Sequence, residues 1–240
     1  MTPRRHSLGL ALALALSIAL PAAAQPLAID SVQLIHTDSG TLQPARCVRI
    51  DKGRIESLHA ASDPDCSAGA QRIDAGGGYL LPGLIDMHAH HTLGPLELKR
   101  QRGKAVMTAA ADDAIAEHNG ARLVAFGVTT IRNPGGDLAA AARYEQRRRD
   151  GSVIGPQSFN AGPVLNSAEL PGLATQVTTP EQIRTAVAQQ VEAGADWIKL
   201  YTGLDAELLQ AGIEAAHAHG RPTVAHLDQV SWPDALELGL

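Results

Sequence analysis

Three short stretches of this 240-residue sequence hold side chains that could do chemistry together. The first, at residues 84–90, reads as a strand. Side chains alternate along a strand, so Asp86, His88 and His90 project from one face while Ile85, Met87 and Ala89 project from the other. Two imidazoles about 7 Å apart on one face can converge on a borderline-soft cation such as zinc. Taken alone, the pair is a weak signal and reads first as two histidines that are satisfied or exposed. His91 faces the other way and reads as a structural neighbour.

The second stretch is residues 196–201. Lys199 shares a strand face with Trp197 and Tyr201, and Ile198 and Leu200 face the opposite layer. A lysine turned into an enclosed interior is costly to keep charged, because desolvation disfavours the ammonium. It must be deprotonated, paired or chemically modified, for instance as a carbamate whose two oxygens could bridge two metals. The alternative is a strand-end lysine that reaches solvent. The third stretch, residues 223–227, carries His226 about one βα repeat after Lys199. By itself His226 would be a satisfied core histidine, but each of the three groups falls near the C-terminal end of its own strand. That is where the active sites of parallel barrels are built.

The elements that must position these groups follow from hydrophobic periodicity. Residues 27–81 read as short strands and turns, with a hairpin about Asp51, Lys52 and Gly53 in which Gly53 can supply a positive φ. Beyond Gly76, Gly77 and Gly78 strand-like and helix-like runs alternate, the signature of βα units and a parallel sheet. Strands are expected at 84–90, 128–133, within 158–164, at 196–201 and at 223–227. Helices are expected at 107–126, 138–149, from Thr179 to the neighbourhood of Gly194, at 205–219 and from 233 onward. Thr179, Pro180, Glu181 and Gln182 form a capping box with proline at the first helical position. The loop 165–178 is expected to border the pocket.

The fold class is therefore α/β, with part of a small β-sandwich at residues 25–81 followed by part of a (β/α)8 barrel at residues 82–240. Only about five βα units are found where a closed barrel needs eight, so the barrel is expected to be incomplete. Residues 1–24 read as a signal peptide: Arg4 and Arg5 precede an apolar run from Leu8 to Leu20, and Ala22 and Ala24 stand before the junction with Gln25. The expected location is periplasmic or secreted, with no integral membrane span once the signal is removed. An oxidising compartment would permit a bridge between Cys47 and Cys66, the other reading being two separate thiols. Lys and Arg number 20 against 25 Asp and Glu, without a basic block, and aromatic residues make up 3%. Nucleic acid is thereby excluded as an expected partner, and a small-molecule substrate is expected instead.

Four segments together resemble the amidohydrolase superfamily, in particular its prolidase-like and imidazolonepropionase-like metal-dependent hydrolases. They are PGLIDMHAH at 82–90, GVTTIRNPGG at 127–136, AGADWIKLY at 193–201 and AHAHGRPTVAHL at 216–227. The resemblance implies a TIM-type metal-binding barrel after a small β-sandwich, with His88 and His90 on one metal, Lys199 as a carbamylated bridge and His226 on a second metal. It implies zinc or a similar divalent ion, two per complete site, and hydrolysis of an amide, dipeptide or cyclic amide C–N bond. Asn133 stands where such proteins often hold aspartate. The family's later histidine and its aspartate base have no counterpart here, so the general base is expected to be absent, Asp228 being a poor substitute. Two readings stay open: such a hydrolase, weak or inactive in this form, or a non-catalytic metal-binding or interaction remnant. A homo-oligomer or a complementing chain is the expected macromolecular partner.

Overall fold

The computed structural model describes residues 25–101 and 103–240; the expected export signal lies outside the described residues. The chain divides into two compact units between Pro82 and Gly83.

In the first unit, β1 (Leu27–His36), β2 (Thr41–Asp51), β3 (Arg54–Ala60), the single-turn α1 (Pro64–Ser67), β4 (Gln71–Asp74) and β5 (Tyr79–Leu80) follow in order. They make one sheet ordered β3-β2-β1-β4, with β5 also on β1. The β2–β3 hairpin closes Asp51 on Arg54. Lys52 (φ 49°) and Gly53 (φ 73°) are both left-handed, as a two-residue turn matched to strand twist requires. Along β1 the period-2 pattern buries Ala28, Asp30 and Val32. The buried Asp30 carboxylate accepts the backbone N–H groups of Ser31 (2.7 Å) and Ser62 (2.9 Å), and Nε (3.1 Å) and Nη2 (2.7 Å) of Arg72. Cys47 and Cys66 form a disulfide that ties α1 to β2.

The second unit opens with β6 (Leu84–Asp86), a β7 (Glu97–Gln101) and β8 (Lys104–Thr108) hairpin, α2 (Asp113–Ala125), β9 (Val128–Asn133) and α3 (Leu138–Arg149). It continues through β10 (Gln157–Asn160), β11 (Val164–Asn166), β12 (Ala174–Gln176), α4 (Pro180–Glu192), β13 (Ile198–Leu200), α5 (Ala206–Ala218), β14 (Thr223–Ala225) and α6 (Trp232–Glu237). Parallel pairing runs β10-β9-β6 in one array and β12-β11-β13-β14 in another. The parallel bridge of Ala161 with Trp197 joins the two. Its five βα units belong to a barrel that the described residues do not close: β6 and β14 each end an array. The core between strands and helices is built from Leu165, Ile198 and Leu200 against Ile183 and Val187 of α4 and Leu209 and Ile213 of α5.

Several expected elements change. The helix expected at 107–126 begins only at Asp113, where Asp112 caps the Ile115 N–H at 3.0 Å, and Met107 and Thr108 belong instead to the end of the hairpin. The third strand is split in two, since Gly162 and Pro163 separate β10 from β11. A third piece of extended chain, β12, occupies part of the expected loop. Thr179 does cap Gln182 N–H (3.3 Å), but the Gln182 Oε1 returns to Thr178 N–H (2.8 Å), so the box is displaced by one residue.

Candidate active site

The site is built at the ends of β6, β9, β13 and β14. Asp86 Oδ1 accepts the His88 backbone N–H at 2.9 Å. This side chain-to-backbone turn competes with the strand ladder, so β6 stops at Asp86 and both histidines lie in the turn beyond it rather than on the strand. The turn is held against β9 from two sides: Ala89 N–H donates to the Arg132 carbonyl (3.1 Å), and Arg132 Nε donates to the Met87 carbonyl (2.7 Å). The rings of His88 and His90 then lie 5.3 Å apart between centroids, inclined by 71°. His90 Nδ1 is 2.8 Å from the Gly135 carbonyl. A carbonyl only accepts, so Nδ1 carries the proton and the Nε2 lone pair is left for a ligand.

Lys199 lies between Ile198 and Leu200, whose side chains are wholly buried in the helix layer. Its own side chain is turned the other way, yet the residue is only 4% exposed. Nζ stands 5.6 Å from the Tyr201 ring centroid, and among the described residues no carboxylate pairs with it. Burial, and then the positive charge of Arg132, lowers its pKa below the usual lysine range. His88 is likewise held below the ordinary imidazole range by burial, then by His90, Lys199 and Arg132, with Asp86 opposing. Both shifts run toward the neutral forms that bind metal or react with carbon dioxide.

His226 lies just past β14, its N–H donating to the Leu200 carbonyl at 3.0 Å. Its ring packs edge-on against Tyr201, 5.0 Å away, and is solvent-exposed. The strand expected to reach residue 227 ends at Ala225. Asp228 is committed elsewhere: both of its oxygens accept the Gly203 N–H at 3.0 Å. Among the described residues no three His, Cys, Asp or Glu side chains are grouped to hold a metal ion. The oriented Nε2 of His90, the adjacent His88 and the buried amine of Lys199 are donor types that could hold a divalent cation. They do not make a closed shell, and His226 is not drawn into one with the two histidines.

His91 is 3% exposed and packs edge-on against Tyr144, 4.5 Å between centroids. Burial, with a smaller contribution from His90, pushes its pKa down to about 4, so it is a neutral structural residue.

Three residues with a part in the site carried no role in the sequence reading. Asn133 is wholly buried, and its Oδ1 accepts the Gly135 N–H (3.3 Å) while its Nδ2 donates to Asn160 Oδ1 (3.2 Å). Gly135, so fixed, presents the carbonyl that orients His90; a Cβ there would meet Val164 Cγ1 at 2.7 Å. Arg132, besides gripping Met87, lies with its guanidinium carbon 5.3 Å from the Trp197 ring centroid. The paired glycines after a strand were the available sign of a close backbone approach.

Comparison with known proteins gives this geometry its context. A profile of the amidohydrolase family matches residues 71–187. Imidazolonepropionase of Aromatoleum aromaticum is 30% identical over 75% of this chain and 52% of that protein. A protein of Bifidobacterium longum provisionally assigned as a prolidase superimposes with a TM-score of 0.70 at 26% identity, covering 89% of this chain and 51% of the other. A Xaa-Pro dipeptidase with methionine bound in its active site gives the same TM-score at 22% identity, over 90% of this chain and 60% of the other. This chain spans about half the length of the first of these relatives.

Proposed function

Because the chain belongs to the amidohydrolase superfamily, we propose that it forms the metal-binding half-site of a hydrolase acting on an amide, dipeptide or cyclic amide C–N bond. The observation that carries this reading is the His90 imidazole, whose Nδ1–H is spent on the Gly135 carbonyl beside His88. His88, His90 and Lys199 would hold zinc or a similar ion, with His226 toward a second. When bound, such a cation would supply Lewis-acid chemistry, acidifying a water and polarising a carbonyl.

The chain's own groups do the rest. His90 is fixed in one tautomer and one orientation. Lys199, whose burial shifts it toward the free amine, would attack carbon dioxide through Nζ, one N–C bond forming as one C=O π bond opens and one proton leaves, to give the carbamate. Asp86 accepts one backbone N–H through Oδ1 and Asp228 accepts the Gly203 N–H through both oxygens, so the backbone orients each carboxylate. A positioned general base is worth about 10²–10⁴-fold, and turnover is expected to be slow unless one of these carboxylates serves as that base. We also read the protein as exported, and the Cys47–Cys66 bridge supports that reading.

The test is elemental analysis and hydrolysis of a dipeptide and cyclic-amide panel, with zinc and bicarbonate added. The unmodified chain should bind zinc, lose most of it in His88→Ala, and turn over slowly in a manner dependent on Lys199. Equal zinc in both proteins would overturn the metal-site reading. Zinc binding that depends on His88 but with no C–N hydrolysis, even at high protein concentration, would replace the hydrolase with a non-catalytic metal-binding protein.

A further inference from the structure

One residue of β9 touches the histidine turn twice and the lysine strand once. The Arg132 carbonyl accepts the Ala89 N–H, and the Arg132 Nε donates to the Met87 carbonyl, so the residues on either side of His88 are both fastened to the same partner. The remaining face of the guanidinium lies against Trp197, two residues before Lys199. The ion pairs of the described residues engage other arginines, His59 and Lys99, and Arg132 has no carboxylate partner among them. A charged donor held without a counter-charge beside two candidate ligand strands has its geometry to contribute.

We propose that Arg132 is a positioning residue for the metal site: it clamps the turn that carries His88 and sets the distance between that turn and the strand that carries Lys199. His90 has its own restraint in the Gly135 carbonyl. Among the described residues His88 makes no hydrogen bond through its ring, which only packs edge-on against His90; its backbone is bonded to Asp86 and by way of its neighbours to Arg132. The orientation of the His88 ring therefore depends on how firmly the turn is held. Groups that orient a metal ligand without touching the metal are typically worth about 10–100-fold in affinity. The planar guanidinium suits the task because it can donate along its edge while its face rests on an indole.

The inference rests on the metal-site reading, and a double-mutant cycle separates the two. Zinc affinity would be measured by competition with a chromophoric chelator for the unmodified chain, Arg132→Met, His88→Ala and the double variant. Thermal melts of each metal-free protein would run alongside. Arg132→Met should weaken zinc about 10–100-fold with little change in melting, and should cost nothing further in the His88→Ala background, because its effect passes through that ring. The visible spectrum of the cobalt-loaded protein should change in Arg132→Met as the His88 geometry relaxes.

Should Arg132→Met fold poorly, Arg132→Lys keeps the charge and a donor but not the flat face, and should show a smaller loss with the same dependence on His88. Undiminished affinity in the folded arginine variants, or an equal loss with and without His88, would overturn the clamp. If His88→Ala itself leaves affinity unchanged, it is the metal site that fails.

Discussion

The Nδ1–H of His90 and the carboxylate of Asp30 show how a single residue's partners decide what it can do. His88, His90 and Lys199 were legible as candidates from type and spacing, although alternation put the two histidines on a strand and they stand in the turn beyond β6. Gly135, Asn133 and Arg132 were not, because their roles consist of a carbonyl direction, a buried amide and a clamp across two strands, none of which leaves a periodic trace. Asp30 was equally silent, being a polar residue within an apolar strand pattern. Its carboxyl is held below the usual carboxylate range by the Ser62 N–H first and the Arg72 side chain next, against the opposing cost of burial. A folded-state pKa below the unfolded value means stability that is present above about pH 4 and lost as pH falls through the folded pKa. Asp30→Asn keeps the shape and removes the charge, so at neutral pH it should cost about 1–3 kcal/mol. That difference should shrink as the pH is lowered below about 4, as read by urea unfolding of the two proteins across the range. A gap that stays constant with pH would show that the charge of Asp30 contributes nothing.

At the scale of elements, β9 and α3 fall at the bounds that periodicity gives, Val128–Asn133 and Leu138–Arg149, because caps and pattern agree there. Asp137 caps the start of α3 through the N–H groups of Ala139 and Ala140. Where they disagree, local hydrogen bonding wins: Asp86 ends β6 early, and Asp112 starts α2 late. Packing sets a limit that no sequence pattern announces at Gly212 in α5. A Cβ added there would meet Leu200 Cδ2 at 2.7 Å and Ile183 Cδ1 at 2.9 Å, and both of those residues are fully buried. Replacing a helical glycine by alanine ordinarily gains about 1 kcal/mol of helix propensity. Here the overpacking of α5 against α4 and β13 costs about 1–3 kcal/mol, so Gly212→Ala should be neutral to destabilising instead of stabilising. Because Leu200 follows Lys199 directly, the same variant should also loosen zinc. A denaturant midpoint that rises in Gly212→Ala would show that the core at this point is slack.

For the whole molecule, composition and alternation were enough to indicate an α/β chain with a β-rich first part, since those signals are summed over many residues. The pairing of Cys47 with Cys66 was beyond them, because a disulfide depends on Cα separation, here 6.3 Å, and on both thiols turning into one space. Both cysteines are wholly buried with Ala28, and their 19-residue separation sets the size of the loop whose freedom the bridge removes from the unfolded chain. A loop of that size corresponds to about 3 kcal/mol, a large fraction of what a small sheet with one modest apolar cluster can hold in reserve. The bridge and the proposed N-terminal leader therefore make one joint prediction. Produced with its leader, the exported protein should begin at Gln25 and carry no titratable thiol. Made in a reducing cytosol from residue 25 onward, it should expose two thiols on unfolding and lose about 3 kcal/mol in the first unit, as read by hydrogen exchange along β1 and β2. Reoxidation should restore that protection without changing zinc affinity, because the bridge and the candidate ligands belong to separate units. Two free thiols in exported protein with full protection of β1 and β2 would remove both the bridge and the argument for export that leans on it.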